Sequence, residues 1–251
     1  MRIPRRIVQT QRNEALAAAS RDSWMLHHPA FDYCFYDDAA SRRLIADDFP
    51  DLLGVYDRLP LAAQKADMFR YAAIFIGGGV YSDTDTLCTA ALETYADLDS
   101  ETLLVGVEMQ PDHYANGIRG YSPAYPIPRQ ILQWTFAASP GHPALGLLLR
   151  RIAYSVSLMT QQQLEDWSRQ SVRFTLELTS PILFTQVCSE FLSGTREGRI
   201  DVLPRMCWGS WPHEQANPLL HEQIKVRHLF EGSWKPKATV SDRISYRVRL
   251  N

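Results

Sequence analysis

With 251 residues the chain is long enough for a sizeable core, so one domain spanning 1–251 is expected in preference to two small ones. Its 45% hydrophobic and 22% charged residues are ordinary for a folded globular protein and exclude a disordered or low-complexity chain. A formal net charge of −2 supplies no basic field for nucleic acid, so a phosphorylated ligand needs local neutralisation by a metal or a few arginines.

No apolar run approaches the roughly 20 residues of a membrane span; YAAIFI at 71–76 is far too short. No integral membrane segment is expected. The N-terminus opens with charges and passes straight into a strand, which predicts no signal peptide. Cys34, Cys88, Cys188 and Cys207 lie far apart without CxxC spacing, which argues against zinc. Buried reduced thiols are expected, with disulfides as the alternative. None of Asn13, Asn116, Asn217 and Asn251 begins an N-x-S/T sequon, in keeping with a cytoplasmic protein.

Taken in chain order, RIVQT (6–10) reads as a first strand and residues 13–25 as a helix. Aromatic-rich 31–36 reads as a second strand, followed by helical pieces at 41–48 and 50–58. A helix over about 61–76 carries Met68, Tyr71, Ala72 and Phe75 at i, i+3, i+4, i+7, an apolar stripe. Gly77, Gly78 and Gly79 end it, since glycine accepts the left-handed cap. Val80 to Ser82 is then a short strand that delivers Asp83 and Asp85 to its C-terminal end, where ligands collect in open α/β sheets. A buried strand at 103–108, an aperiodic Pro-, Gly- and Tyr-rich loop at 110–128, helices at 142–158, 161–171 and 181–193, and a strand at 200–203 complete an α/β pattern with an irregular end.

The chemistry concentrates in KADMFRYAAIFIGGGVYSDTDT (65–86). Asp83 and Asp85 form an Asp-x-Asp pair whose hard oxygens suit Mg²⁺ or Mn²⁺ held against a diphosphate. The bland alternative is two solvated turn carboxylates. DTDT also satisfies the DxDx[TV] nucleophile motif of haloacid dehalogenase-type phosphatases, but no Gly-Asp pair follows residue 85, and the motif sits behind some eighty residues instead of on the first strand. Asp67 and Arg70 lie three apart and share a helix face, which in isolation reads as a surface ion pair; the family motif described below implies instead partners for sugar hydroxyls. Lys65 reads as a simply solvated helix lysine or as a further contact of the motif. Tyr81 reads as a packing aromatic with a bonded hydroxyl, while the resemblance described below implies a site-lining tyrosine at this position. Gln9 and Thr10, ending the first strand, are placed to meet a nucleotide base or ribose.

The spacing Asp-x2-Arg-x10-Tyr-x-Asp-x-Asp resembles the DXD sugar-binding region of family 32 retaining glycosyltransferases, especially fungal α-1,6-mannosyltransferases, and more distantly the glycosyltransferase domains of large clostridial toxins. IPRRIVQT (3–10), QWTFAASPGHP (133–143) and HLFEGSW (228–234) carry the resemblance across most of the chain. It implies a GT-A-type, Rossmann-like nucleotide-sugar-binding domain with helical additions. By the same resemblance Asp85 ligates the cation, while Asp83 contacts ribose or sugar and reaches the metal through water. His228 lies near the metal, and Ser233 and Trp234 meet the diphosphate and sugar. Without the resemblance, His228 is an ordinary half-buried histidine. Thr179-Ser180-Pro181 stands where relatives carry Thr-Gly-Pro, and Glu108 is near the acceptor or simply packs.

The activity implied is transfer of a sugar from a nucleotide-diphosphate donor, GDP-mannose ahead of a UDP-sugar, to a glycan or glycolipid hydroxyl with α linkage. The alternatives are a toxin-like transferase to protein hydroxyls and a silent nucleotide-sugar-binding protein. Fungal relatives are anchored in the Golgi, so a Golgi-lumen location with an anchor removed stands beside the cytoplasmic one.

Overall fold

The computed structural model describes residues 2–110 and 129–232. The loop expected at 110–128 therefore falls outside the described residues except for Gln110, and so do Ser233 and Trp234. In chain order the elements are β1 (Arg6–Thr10), α1 (Ala18–His27), β2 (Asp32–Tyr36), α2 (Asp38–Asp48), α3 (Pro50–Arg58), α4 (Ala62–Gly77), β3 (Gly79–Ser82), β4 (Thr86–Cys88), β5 (Leu103–Met109) and β6 (Gln130–Ala138). They continue with α5 (Pro143–Ser157), α6 (Gln161–Gln170), α7 (Val172–Leu178), α8 (Pro181–Leu192), β7 (Ile200–Val202) and β8 (Val226–His228).

Local chemistry sets the boundaries. The Asp37 carboxylate accepts from the Ala40 N–H at the start of α2, and Thr160 and Ser171 do the same for α6 and α7. Pro50 and Pro181 open α3 and α8, where a missing N–H costs nothing. The helix expected over 13–25 divides into a 3₁₀ turn, Glu14–Ala17, capped by Asn13, and α1, which runs on to His27.

Six strands form a sheet in the order β2-β1-β3-β6-β5-β7, and β4 and β8 make a separate two-stranded ribbon. Within the sheet β1 is parallel to β2 and β3, and β5 to β7, while β6 is antiparallel to both of its neighbours. Every residue of β6 is buried. With apolar groups on both faces it shows no period-two alternation, which is why the sequence pattern did not disclose it as a strand. Ile131, Phe136 and Ala138 enter the core beneath α4, α5 and α8, and Leu132, Trp134 and Ala137 enter a second core with Trp24 and Trp208. The result is a sheet covered on both faces, an α/β architecture.

Helix α4 is the central helix. Its stripe is present, but Asp67 through Ile74 are buried without a break, because the helix touches α2 and α5 as well as β1, β3 and β6. Tyr71 stacks on Phe184 of α8 at 5.7 Å and 5°, and Phe136 of β6 closes the cluster. The helix ends at Gly78, whose φ is +61°. A Cβ there would lie 2.6 Å from Pro4 Cδ, 2.7 Å from Pro140 Cδ and 3.0 Å from the Ala138 carbonyl oxygen. The turn from α4 into β3 thus needs glycine for backbone angle and for space.

Gly78→Ala is expected to lower stability by about 2–4 kcal/mol through combined strain and overpacking. The urea midpoint should fall accordingly, at an unchanged slope.

Candidate metal centre

The two-stranded ribbon assembles the site. After β3, the chain turns through Asp83, Thr84 and Asp85 into β4, which pairs with β8 so that Thr86 lies opposite His228. The Leu229 N–H donates to the Asp85 carbonyl (2.8 Å) and the Glu231 N–H to Asp85 Oδ2 (3.3 Å). Residues 143 positions apart in the chain are thereby brought to one point, and single ligand atoms of Asp83, Asp85 and His228 lie within 4.8 Å of one another.

These side chains are partly exposed, at 26%, 19% and 14%, whereas Asp67 and Arg70 are almost closed off at 3% and 6%. The three can meet a solute; the other two lie behind them. The ligand set fits a hard divalent ion. In an octahedral shell of radius about 2.1 Å, donors sit roughly 3–4 Å apart, comparable with the cluster here. His228 aims Nε2 at Asp85 Oδ2 across 3.3 Å, and a neutral imidazole beside two carboxylates suits Mn²⁺ as well as Mg²⁺.

His228 is held by rings as well as by its strand. The Trp134 indole stacks on it at 4.5 Å and 8°, and Phe230 meets it edge-on at 4.2 Å. Phe230 takes φ +54°, unusual for a bulky residue, and closes that contact. Among the described residues, His228 Nδ1 and Trp134 Nε1 are buried without a hydrogen-bond partner.

Behind the cluster, Arg70 joins two carboxylates. Its Nη2 lies 3.1 Å from Asp67 Oδ1 and 3.1 Å from Asp83 Oδ1, its Nη1 donates to the Gln133 carbonyl (3.0 Å) and to Gln133 Oε1, and its guanidinium stands 4.7 Å over the Tyr81 ring. Desolvation works against the Arg70 cation, but Asp83, Tyr81 and Asp67 outweigh it and hold its pKa above the ordinary value. The surface ion pair allowed by the sequence is thus a buried one.

Asp67 is fully committed. Oδ1 accepts from Arg70 and from Gln133 Nε2 (3.1 Å), and Oδ2 accepts from Thr179 Oγ1 (2.8 Å) and from Ser180 Oγ. Four donors fill its four lone-pair positions. Asp83 Oδ1 takes the Tyr81 hydroxyl (2.7 Å) and Arg70, which leaves Oδ2 for a ligand. Burial and the nearby Asp85 charge raise the Asp83 pKa, against the pull of Arg70 and Tyr81. Burial also pushes Asp85 up, but the His228 hydrogen bond and charge and the Glu231 N–H outweigh it and leave that carboxyl below its usual range.

Gln9 lies beneath the turn, fully buried, in contrast to its expected place against a base or ribose. Its Nε2 donates to Ser20 Oγ (2.7 Å) and reaches the Ser82 and Asp83 carbonyls (3.3 Å each), while Oε1 accepts from Tyr33 (3.0 Å). Thr10 Oγ1 donates to the Tyr36 carbonyl (2.8 Å) and stays half-buried at the sheet's C-terminal edge. Lys65 Nζ sits 5.5 Å over the Tyr56 ring, and the Glu108 carboxylate accepts from Gln130 at 2.6 Å. The four cysteines are free, three of them buried. Gln133 and Trp134 were not expected at the site from residue type. Both lie on β6, which has no strand signature in the sequence, so the available signal was their place at the head of QWTFAASPGHP (133–143).

Comparison with known proteins agrees with this geometry. Residues 16–103 match the family described as glycosyltransferase sugar-binding region containing DXD motif, and the Asp83/Asp85 turn lies inside the match. The chain is 27% identical over 238 residues to the initiation-specific alpha-1,6-mannosyltransferase of Schizosaccharomyces pombe, covering 84% of this chain and 58% of the relative. It is 26% identical over 259 residues to the like-named protein of Candida albicans, covering 86% and 66%. Identity to the inositol phosphoceramide mannosyltransferase 3 of S. pombe is 26% over 134 residues, covering 52% and 36%. The chain therefore spans less than two thirds of these relatives' own length.

Among solved structures, the PaToxG glycosyltransferase superposes with a TM-score of 0.50 at 15% identity over 96% of this chain and 83% of that one, a likeness of fold. The fold is of the GT-A glycosyltransferase type. Residues 16–103 thus carry a DXD-containing glycosyltransferase region, and fungal mannosyltransferases are among the proteins the chain is similar to.

Asp67→Ala is expected to cost about 3–5 kcal/mol, because it leaves Arg70 buried beside one carboxylate fewer. Arg42→Ala, which breaks the bidentate but exposed pair with Asp57, should cost less than about 1 kcal/mol. Urea titration of both variants checks the contrast.

Proposed function

We propose that the chain is a metal-dependent retaining glycosyltransferase that moves mannose from GDP-mannose to a glycan or glycolipid hydroxyl with α linkage. The observation that carries this reading is the meeting of Asp83, Asp85 and His228 at the end of β3 and at the ribbon, inside and beside the matched DXD region. Mannose is favoured because the relatives named above are mannosyltransferases, and the ceramide-directed relative keeps a glycolipid acceptor beside a glycan one.

Asp85, Asp83 Oδ2 and His228 Nε2 would hold Mn²⁺ or Mg²⁺. The ion would neutralise charge building on the departing diphosphate, the electrostatic help a leaving nucleotide needs. The chain's own residues prepare the place for it. His228 is fixed between Trp134 and Phe230, so its lone pair is oriented in advance. Arg70 and Tyr81 hold one oxygen of Asp83 and turn the other to the ligand. Trp134 Nε1 is an unspent donor next to His228, suited to an anionic oxygen. Thr10, at the C-terminal edge of β1, is left as the first-strand residue available to the nucleotide. We further propose same-face transfer, in which the leaving phosphate takes the acceptor's proton. Trapping a covalent sugar on any side chain would sink that step.

Calorimetric titration with GDP-mannose and a panel of UDP-sugars, first with Mn²⁺ and then with EDTA, tests the reading. One donor should bind tightly with metal and lose at least about tenfold in affinity without it. Metal-independent binding, or none in folded protein, overturns it. Asp85→Asn is expected to lower metal-dependent turnover by about 10²-fold or more, and unchanged turnover with Mn²⁺ present would count against the assignment.

A further inference from the structure

Beneath the three ligands lies a chain of hydroxyl groups centred on Thr86, which is fully buried. Its Oγ1 donates to the Asp83 carbonyl (2.7 Å) and receives the Trp24 indole N–H (3.2 Å). Ser82 Oγ lies 2.8 Å from it, and Thr135 Oγ1 of β6 lies 2.8 Å from Ser82 in turn. A hydroxyl has one proton and two lone pairs. The assignment that satisfies all of them runs Thr135 to Ser82 to Thr86 to the Asp83 carbonyl, with Trp24 filling the second lone pair of Thr86. Ser20 Oγ, at 3.2 Å, is a looser contact that links the chain to Gln9.

The backbone of the same residue carries the rest. Thr86 is the register partner of His228 in the ribbon and follows Asp85 directly. One residue therefore fixes Asp83 by its side chain, Asp85 by peptide connection and His228 by strand pairing. We propose that Thr86 is the positioning residue of the metal centre, setting the relative placement of the three ligands without touching the ion. This rests on the metal reading above. It adds that ligand geometry is decided in the core, by the sheet strand β6 and helix α1, through a hydroxyl at the position after the second aspartate.

Thr86→Val keeps shape and burial and removes the hydroxyl; the Asp83 carbonyl, Trp24 N–H and Ser82 hydroxyl each lose a partner. The Mn²⁺ dissociation constant, measured by electron paramagnetic resonance on the whole chain well below its melting temperature, should rise about tenfold. Raising Mn²⁺ to saturation should restore most of kcat, and Thr86→Ser should return the affinity to within about twofold of wild type. Thr102→Val, which removes a buried hydroxyl bonded to the Arg199 carbonyl away from the site, is the control: it should lower the melting temperature and leave Mn²⁺ affinity unchanged.

If Thr86→Val does not fold, Ser82→Ala breaks the same chain one step back and should weaken Mn²⁺ about threefold. Wild-type affinity in whichever of these two variants is measured, or an equal loss in Thr102→Val, overturns the positioning role while leaving the metal centre standing. Wild-type protein that takes up no Mn²⁺ overturns the metal reading, and this inference with it.

Discussion

The Arg70 guanidinium sits out of water between Asp67 and Asp83, and most of the site is arranged around that charge. A buried cation is tolerated only when its partners are close and its N–H groups are spent. The Gln133 amide and carbonyl, the Tyr81 ring and two carboxylates meet that requirement nearly completely. Because the partners come from α4, β3 and β6, the pairing also fixes how helix and sheet meet. Asp67 then passes the constraint on to Thr179 and Ser180 at the start of α8.

That arrangement gives the motif two layers with different duties. Asp83, Asp85 and His228 form the open layer, partly exposed, where the proposed cation would sit. Asp67 and Arg70 form the closed layer, where charges cancel and lone pairs are filled. Ser180 gives its hydroxyl to Asp67 and offers no side-chain bond to the helix it precedes. Residues three apart on one helix are thus paired inside, and residues separated by most of the chain form the candidate site. Low local dielectric makes such a network cooperative, so a single lost partner is felt throughout it.

The ribbon of β4 and β8 explains how so small an element can hold the site together. It is three residues a side, and isolated ribbons of that size are not stable. Here it is tied by Thr86 to the sheet and by the His228 rings to Trp134 of β6. The clustered side chains are thereby anchored to the core beneath the ribbon.

Much of this was written into the sequence locally. The period of α4, the glycines that end it, the short strand after them and the Asp-x-Asp at its end follow from side-chain spacing and cap chemistry alone, and β1, β2, β5 and β7 stand within a residue or so of their expected places. Tertiary structure decided what has no local signature. Strand β6 is buried on both faces and shows no alternation, so its central position and reversed direction emerge only from pairing. Gln9 ends a strand, as a ligand-facing residue would, yet the packing of α1 and β2 turns it beneath the site. His228 meets Asp85 because β8 returns to β4, a contact across most of the chain that spacing cannot encode. The sequence by itself determined which groups carry the charge. Only the folded chain decided which of those charges are cancelled inside and which are left facing a ligand, because that depends on partners drawn from distant strands.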